Sequence, residues 1–353
     1  AIAFAHASGI PVAPTWGGLD IMPHNDSLFI GSFGTHGTRY GNLAVQNADL
    51  IIAVGSRLDS KSTGTPVNSF APRAHIIMVD IDHTEIDKFQ HMGLKVKGVC
   101  EDAKKFFMRT IPGIEATSYP EWYERINDWK KRYPICPPEY YTEEGVNPYV
   151  LVKELSKVCA EGDIIVSDTG CAVAWMAQAF EFKKGQRFIH AWNQTPMGYG
   201  LPAAIGCHYA TGGRIVLVSG DGSFQMQNEL ATVAGHNLPI KIILLNNGGH
   251  AMCRQTQREW FGSKYDSTSV AGGLTFPDFC DTAMAAGFHK TMRIKRADDV
   301  KHLLRITFGD DRPFMGEVIL NPDHDVIPKL FATKPLEDMQ PYLTPEQLAK
   351  EMV

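Results

Sequence analysis

The stretch RIVLVSGDGS, residues 214–223, places a buried-type apolar run directly before an aspartate held between two glycines. A second stretch, IKIILLNNGG (residues 240–249), repeats the arrangement with two asparagines and a glycine pair. Short apolar runs of this kind are typical of parallel strands that a sheet buries on both faces. Ligands bind such sheets at the carboxyl ends of the strands. The polar residues that follow these runs therefore predict a ligand site.

The rest of the chain alternates strand-like and helix-like segments in two regions. Further strands are predicted at residues 48–55, 74–82, 163–168 and 314–320. Helices are predicted to begin near Pro148, Gln227 and Thr344. Residues 110–146 are rich in proline, tryptophan and charge, which predicts a linker around a short amphipathic helix. This pattern predicts an α/β fold with two doubly wound parallel-sheet domains, a Rossmann-like one at 1–135, including the linker helix, and another at 136–353.

The composition excludes several classes of protein. Hydrophobic residues make up 44% of the 353 residues and charged residues 21%, as in soluble globular proteins. A net charge of −5 without a basic run argues against nucleic acid as the partner. No apolar stretch approaches the roughly 20 residues of a membrane span. The opening residues lack a signal-peptide pattern and an initiator methionine, which suggests a fragment of a longer protein.

The seven cysteines are scattered along the chain and include no CxxC pair. This spacing favours neither a zinc site nor a disulfide framework. Reduced thiols in a cytoplasmic protein are therefore expected.

The residues at the strand ends suggest a magnesium site. Asp221 offers a carboxylate oxygen, Asn247 an amide oxygen and Gly249 an unobstructed main-chain carbonyl. Magnesium prefers such oxygen ligands in octahedral geometry and often shares its shell with phosphates. Gly222 would let the backbone approach a phosphate closely, and Ser223 could donate a hydroxyl. The alternative is a pair of tight strand-to-helix turns with Asp221 as an N-cap.

The motif GDG, a run of 23 residues and then NN resembles the thiamine-diphosphate fingerprint of the acetolactate synthase (acetohydroxyacid synthase) family. The resemblance extends to TPMGYGLPAAIG (195–206), to residues 33–59, to VDID (79–82) and to KPLEDMQPYL (334–343). It implies that Asp221, Asn247 and the main-chain oxygen of Gly249 hold magnesium. These are the residues already favoured by ligand chemistry.

The resemblance also implies the residues that contact the cofactor. Thr195 would offer its main-chain oxygen to the 4′-amino group, Met197 would lie between the two rings, and Met252 would lie over the thiazolium. Gly170 and Cys171, in the strand-end cluster SDTGC, match a diphosphate loop. The family's Gln-His pair is replaced there by Cys171 and Ala172, so only backbone contacts carry over. A core position at a tight turn is the alternative for Met197.

The first domain resembles the family's middle domain, which binds FAD in acetolactate synthases. THGT (35–38), Arg57 and Asp80 with Asp82 match positions that contact the flavin. An arginine after a strand can pair with a pyrophosphate, and an acid at the next strand end can hold a ribose hydroxyl. The alternative is a domain that keeps the fold without the ligand.

The resemblance implies a carboligase that uses thiamine diphosphate and magnesium. It would decarboxylate pyruvate or a similar 2-oxo acid and transfer the acyl unit to a second carbonyl. In the family, a glutamate from an N-terminal domain of a neighbouring subunit activates the cofactor, and the 353 residues do not include that pattern. A homo-oligomer or a partner that supplies the acid is therefore expected.

Three alternatives to this function remain open. Thr256 stands where a tryptophan is found in members that favour 2-ketobutyrate, and RQTQ with PLEDMQPYL resembles relatives that may add an acyl unit to a nucleotide-linked keto sugar. The chain could also be a non-catalytic cofactor-binding subunit. A nicotinamide dehydrogenase is disfavoured, because GxGxxG after a first strand is not found.

Overall fold

The computed structural model describes residues 1–191 and 193–352. They divide into two compact units. One comprises residues 1–135 together with the segment from Ile327 onward, and the other comprises Cys136–Val326. Within the described residues, no helix is long and apolar enough to cross a membrane.

The first unit is built on a three-stranded parallel sheet with helices around it. Its strands are β1 Leu50–Val54, β2 His75–Asp80 and β3 Val96–Cys100, in the order β1-β2-β3. Its helices are α1 Ile2–Ser8, α2 Arg39–Gln46, α3 Ser60–Thr63, α4 His83–Asp87, α5 Ala103–Thr110 and α6 Pro120–Arg132. β1 and β2 confirm the two strands predicted in this region. Helix α6 is the amphipathic helix predicted within residues 110–146, and its Trp129 is fully buried.

The second unit contains a six-stranded parallel sheet. Its strands are β4 Ile164–Ser167, β5 Arg187–Ile189, β6 Ile215–Gly220, β7 Ile240–Asn246, β8 Thr291–Ile294 and β9 Phe314–Ile319. Its helices are α7 Pro148–Val158, α8 Cys171–Ala179, α9 Gly200–Thr211, α10 Asp221–Phe224, α11 Leu230–Gly235, α12 Ala251–Trp260, α13 Phe279–Ala285 and α14 Val300–Thr307. The strand order is β5-β4-β6-β7-β9-β8, with every pair parallel.

This strand order contains a topological switch. From β4 the chain passes to β5 on one side, and it then returns to place β6 on the other side of β4. The carboxyl ends of β4 and β6 therefore flank a crevice of the kind in which doubly wound sheets bind ligands. The α/β fold class predicted from the sequence is confirmed.

The core of the second unit explains why the apolar runs became central strands. Val166, Leu217, Ile242 and Met315 come from four neighbouring strands and are fully buried in one cluster. Strands covered on both faces need apolar residues at successive positions rather than at alternate ones. Truncation of one such side chain to alanine typically costs about 2–5 kcal/mol. This packing holds the strands in register, so that the polar residues that follow them emerge at one edge of the sheet.

The helix predicted near Gln227 is not found there. Residues 221–224 form the short helix α10, and the next helix begins at Leu230. The Gln227 side chain is buried and hydrogen-bonded to residues of the sheet edge, including Ser219 at 3.2 Å. A glutamine used for such contacts interrupts the helix rather than starting it.

The C-terminal segment groups with the first unit, whereas the boundaries expected from the sequence put it in the second domain. It contains the paired strands β10 Lys329–Leu330 and β11 Met339–Gln340 and the helix α15 Pro345–Glu351. The Asn42 side-chain amide donates to the Leu336 carbonyl at 3.0 Å. The Trp129 indole donates to the Glu351 carboxylate at 2.6 Å. These buried polar groups of α2 and α6 need the C-terminal segment as their partner.

Candidate cofactor and metal site

The turns after β6 and β7 meet at the carboxylate of Asp221. Gly220 and Leu245 are aligned across the two strands, which brings the following turns side by side. One carboxylate oxygen accepts the main-chain N–H of Asn247 at 3.1 Å and that of Gly249 at 3.0 Å. The other accepts the N–H of Gly222 at 2.7 Å. Of the three residues predicted to hold magnesium, Asp221 is therefore hydrogen-bonded to both of the others.

The environment of Asp221 suits a bound cation. The side chain is 1% exposed, and burial raises the pKa of its carboxyl to about 6 against the opposing hydrogen bonds from the glycine turn. A buried anion is stabilised by a nearby positive charge as well as by N–H donors. A carboxylate from one turn, with an amide oxygen and a carbonyl from the neighbouring turn, forms an oxygen donor set that fits Mg²⁺. As the first residue of α10, Asp221 binds the neighbouring turn, so the role of a simple N-cap does not describe it.

Arg254 on α12 contacts the same turn, and sequence reasoning did not identify it. Its guanidinium is buried, and one of its nitrogens lies 3.3 Å from the side-chain oxygen of Asn247 and 2.8 Å from the Pro322 carbonyl. These contacts orient the Asn247 amide. A Cβ on Gly249 would lie 2.3 Å from the Thr268 carbonyl oxygen and 2.5 Å from the guanidinium. Only glycine allows this close approach.

Met197 and His250 lie against the glycine of the GDG turn. A Cβ on Gly222 would lie 2.2 Å from Nδ1 of His250 and 3.4 Å from the terminal methyl of Met197. Thr195, two residues before Met197, has a φ of 47° and donates its main-chain N–H to the Ala191 carbonyl at 2.7 Å. The structure thus places the TPMG turn beside the turn of Asp221 and Gly222. The roles of Thr195 and Met197 toward a cofactor stay predictions.

The remaining predicted residues of this unit lie on two further helices. Gly170 precedes α8 with a φ of 79°, and a Cβ built there would meet no atom within 4 Å. Space is therefore left beside Gly170, at the N-terminus of this nine-residue helix, whose first residue Cys171 is buried. Unpaired N–H groups at a helix N-terminus favour anions. Met252 is half-buried in the first turn of α12.

Asp168, the acid of the SDTG cluster, follows β4 at the carboxyl edge of the sheet, as Ser223 follows β6. The role of Ser223 toward a phosphate stays a prediction. Asp168 is 1% exposed, and burial raises the pKa of its carboxyl. Asp168 also accepts N–H groups from Thr169 and Gly200 and from the Gln227 side chain, each at 2.8 Å. The sequence shows an acid in the SDTG cluster, but it does not show the hydrogen-bond partners of that acid, because they depend on the strand order.

The first asparagine of NNGG has a structural role. The Asn246 side-chain oxygen accepts the Gly248 N–H at 3.0 Å, and its amide nitrogen donates to the buried Glu317 at 2.6 Å. Glu317 also binds Arg293 at 2.6 Å and lies near Cys280. Arg293 binds Asp278 as well, so that it pairs with both carboxylates of the group Asp278, Cys280 and Glu317. Asn246 thereby links the turn of Asn247 and Gly249 to β9.

The residues predicted to hold FAD lie at the carboxyl edge of the first unit's sheet. Arg57 is exposed, and its guanidinium binds the Glu85 carboxylate at 2.6 and 3.0 Å. Asp80 ends β2 and accepts the N–H of Asp82 at 3.0 Å. The Asp82 carboxylate caps α4 by accepting the Thr84 N–H at 2.9 Å. Each of these charged groups already has a partner within the unit.

Comparison with known proteins identifies the class. Residues 168–318 match the family model of the C-terminal TPP-binding domain of thiamine pyrophosphate enzymes, and residues 1–107 match the central domain of the same enzymes. The chain therefore carries the central and C-terminal domains of thiamine pyrophosphate enzymes. This confirms the resemblance seen in the GDG and NN motifs.

Individual relatives are named as acetolactate synthases. The acetolactate synthase large subunit of Corynebacterium glutamicum is 33% identical over 350 residues, covering 96% of this chain and 54% of the relative. That of Pyropia yezoensis is 34% identical over 318 residues, covering 88% and 52%. That of Mycobacterium tuberculosis is 31% identical over 347 residues, covering 95% and 55%. The chain spans about half the length of the curated relatives it matches.

Proposed function

We propose that the second unit binds thiamine diphosphate with Mg²⁺ at the carboxyl ends of β4, β6 and β7, and that the protein acts as a carboligase of the acetolactate synthase type. The observation that carries the proposal is the Asp221 carboxylate, buried at the sheet edge and bound to the N–H groups of Asn247 and Gly249. The named relatives support the same class of activity.

The protein groups would divide the work of binding. Asp221, the Asn247 amide and the Gly249 carbonyl would hold Mg²⁺, and the open helix terminus at Gly170 and Cys171 would receive the diphosphate. Gly222 would allow close approach of the main chain, with Ser223 beside it.

The organic part of the cofactor would lie between two methionines. Thr195 would accept a hydrogen bond from its amino group, Met197 would support it from beside Gly222, and Met252 would cover it. A flexible thioether fits an irregular apolar surface of this kind. When bound, thiamine diphosphate supplies the electron sink for removing carbon dioxide from a 2-oxo acid. The side chains around it would orient the substrate and exclude water.

The proposed donor substrate is pyruvate or a similar 2-oxo acid. For the acceptor, the side chain of Thr256 is small and exposed, and its hydroxyl bonds back to the Met252 carbonyl at 3.0 Å. A side chain of this size would leave more space for an acceptor than a tryptophan at the same position. Transfer of the acyl unit to a nucleotide-linked keto sugar is therefore the second candidate reaction. An activating carboxylic acid from a further domain or subunit would complete the site.

A flavin site in the first unit is a separate proposal. Arg57 and Asp80 follow the adjacent parallel strands β1 and β2, and dinucleotides bind at such strand ends. The pyrophosphate of FAD would replace Glu85 as the acceptor for the Arg57 guanidinium. The proposal is also supported by the match of residues 1–107 to the central domain of thiamine pyrophosphate enzymes.

The experiment for the enzymatic proposal is release of carbon dioxide from pyruvate by the purified protein. With thiamine diphosphate and Mg²⁺, release faster than that by the free cofactor supports an enzyme. Cofactor binding without release, even after the domain carrying the activating acid is added, supports a non-catalytic binding subunit instead. Product analysis with a 2-oxo acid and with a nucleotide-linked keto sugar as acceptors separates the two candidate reactions.

A further inference from the structure

Asp168 is a buried carboxylate at the topological switch of the second unit's sheet. It directly follows β4, the strand that lies between β5 and β6. One of its oxygens accepts the Thr169 N–H at 2.8 Å, and the other accepts the Gly200 N–H and the Gln227 side-chain N–H, each at 2.8 Å. With 1% exposure, it makes these contacts away from solvent.

The donors come from the two segments that flank the crevice. Gly200 begins α9 and ends the turn that carries Thr195 and Met197. Gln227 belongs to the segment that follows Asp221. One carboxylate thus connects the TPMG turn to the metal turn.

Gln227 strengthens this connection. Its side-chain oxygen accepts the Leu201 N–H at 3.0 Å, and its nitrogen also reaches the Ser219 hydroxyl at 3.2 Å. The first two N–H groups of α9 are therefore held by Asp168 and Gln227. A Cβ on Gly200 would lie 2.9 Å from the Asp168 carboxylate, so the helix start packs directly on it.

We propose that Asp168 is a positioning residue that fixes the turn of Thr195 and Met197 relative to the Asp221 turn, and thereby sets the site for the pyrimidine half of thiamine diphosphate. This inference rests on the proposed function. Asp168 acts through Gly200 and Gln227 rather than by touching the diphosphate or the metal.

The contacts require a carboxylate rather than an amide. Both oxygens of Asp168 face N–H donors, so an asparagine in either orientation would turn its NH₂ toward at least one of them. A buried N–H group that faces another donor has no hydrogen-bond acceptor, although it has lost its contact with water, and this lowers the stability of the fold. Asp168→Asn should therefore displace the TPMG turn while it preserves the size of the side chain.

Asp163 provides a matched control at the opposite end of the same strand. It immediately precedes β4, is buried, and binds Arg214 at 2.7 Å and the Ala160 N–H at 2.7 Å. Asp163→Asn should weaken the fold without altering the carboxyl edge of the sheet.

The test compares two probes, thiamine diphosphate and inorganic diphosphate, each titrated with Mg²⁺ well below the Tm of every variant. Asp168→Asn should bind thiamine diphosphate about tenfold more weakly or worse, with little change for inorganic diphosphate. Asp163→Asn should bind both probes as the unmodified protein does. The difference between the probes separates positioning of the pyrimidine turn from a general loss of structure.

A second variant keeps the inference testable if Asp168→Asn does not fold. Gln227→Met removes one donor to Asp168 at similar volume and should produce the same selective loss for thiamine diphosphate, to a smaller extent. Equal weakening of both probes, or unchanged binding of thiamine diphosphate, would overturn the inference. Absence of thiamine diphosphate binding by the unmodified protein would overturn the proposed function itself.

Discussion

The carboxylate of Asp221 accepts the main-chain N–H of Asn247 at 3.1 Å, although 25 residues separate them in the chain. The contact exists because β6 and β7 are adjacent and parallel, so that their polar turns emerge at the same edge. A GDG turn or an NN turn alone would provide only part of an oxygen ligand set. Because this contact joins the two turns, they can offer one anionic oxygen donor and two neutral oxygen donors to the same ion.

The close approach at Gly249 should make that position intolerant of any side chain. Gly249→Ala would place a Cβ 2.3 Å from the Thr268 carbonyl oxygen. Overpacking of this kind typically costs about 1–3 kcal/mol, so the free energy of unfolding should fall by that amount, together with affinity for thiamine diphosphate. Gly235→Ala is the control, because a Cβ there meets no atom within 4 Å. Denaturant unfolding of both variants measures the difference, and equal stability would contradict the packing argument.

The flavin proposal predicts a specific role for Arg57. If the unit binds FAD, Arg57→Ala should lower the affinity by about 1.5–3 kcal/mol through loss of a charge-assisted hydrogen bond. Arg109→Ala is a matched control, since Arg109 is similarly exposed and binds Glu101 at 2.7 Å. Flavin absorbance and titration with FAD provide the measurement. A protein that takes up no FAD at high micromolar concentration would rule out the flavin site and leave the thiamine site untouched.

The Glu351 cluster should make stability depend on pH in the acid range. Hydrogen bonds from Arg132, and also from Tyr133 and Trp129, hold the pKa of the Glu351 carboxyl at about 2, below its usual 4.5. A carboxyl whose pKa is lowered by folding stabilises the fold fully above pH 4.5, and this contribution is lost as pH falls toward 2. Because Arg132 is partly exposed, we expect the contribution to be about 1–2 kcal/mol.

Glu351→Gln should remove that part of the pH dependence. Its free energy of unfolding should be lower than that of the unmodified protein at pH 6, and the two should converge as pH approaches 2.5. Glu124→Gln, at an exposed position of α6, should leave the pH profile unchanged. Parallel pH profiles for Glu351→Gln and the unmodified protein would contradict the assignment.

The activating acid gives a further prediction. A positioned acid or base contributes about 10²–10⁴ in rate, and the two carboxylates placed at the site, Asp168 and Asp221, are already bound to N–H donors. The 353-residue chain alone should therefore bind thiamine diphosphate but exchange its C2 proton at close to the free-cofactor rate. Addition of a domain carrying the acid should accelerate exchange, which NMR in deuterated buffer can follow. Fast exchange by the isolated chain would show that these residues supply their own acid.

The sequence predicted the central strands better than those at the sheet edges. The apolar runs that became β4, β6, β7 and β9 are continuous because both faces are covered. Five of the described strands were not predicted: β3, β5 and β8, each at an edge of its sheet, and β10 and β11, which form a sheet of two strands. Edge strands are short here and carry exposed polar residues, such as Arg187 in β5, so they lack the apolar signal.

The clustering of Asp221, Asn247 and Gly249 was predictable, but the contacts that support the cluster were not. Asp221, Asn247 and Gly249 follow apolar runs and have the oxygen atoms that magnesium prefers. The contacts of Asp168 and Arg254 depend on strand order and on the path of α9 and α12, which residue spacing does not contain. The interruption of the helix at Gln227 has the same origin, because the side chain serves a distant partner.

The most direct test of the account is Mg²⁺-dependent binding of thiamine diphosphate to Asp221→Asn and Asp221→Ala, followed by tryptophan fluorescence. Asp163→Asn is the control for loss of a buried carboxylate, and circular dichroism establishes that each variant is folded. The account predicts saturable binding by the unmodified protein that chelation of Mg²⁺ abolishes. It predicts affinity lower by a factor of about 10–100 or more in both Asp221 variants, with Asp163→Asn unchanged. Folded Asp221 variants that bind the cofactor as tightly as the unmodified protein would contradict the central claim.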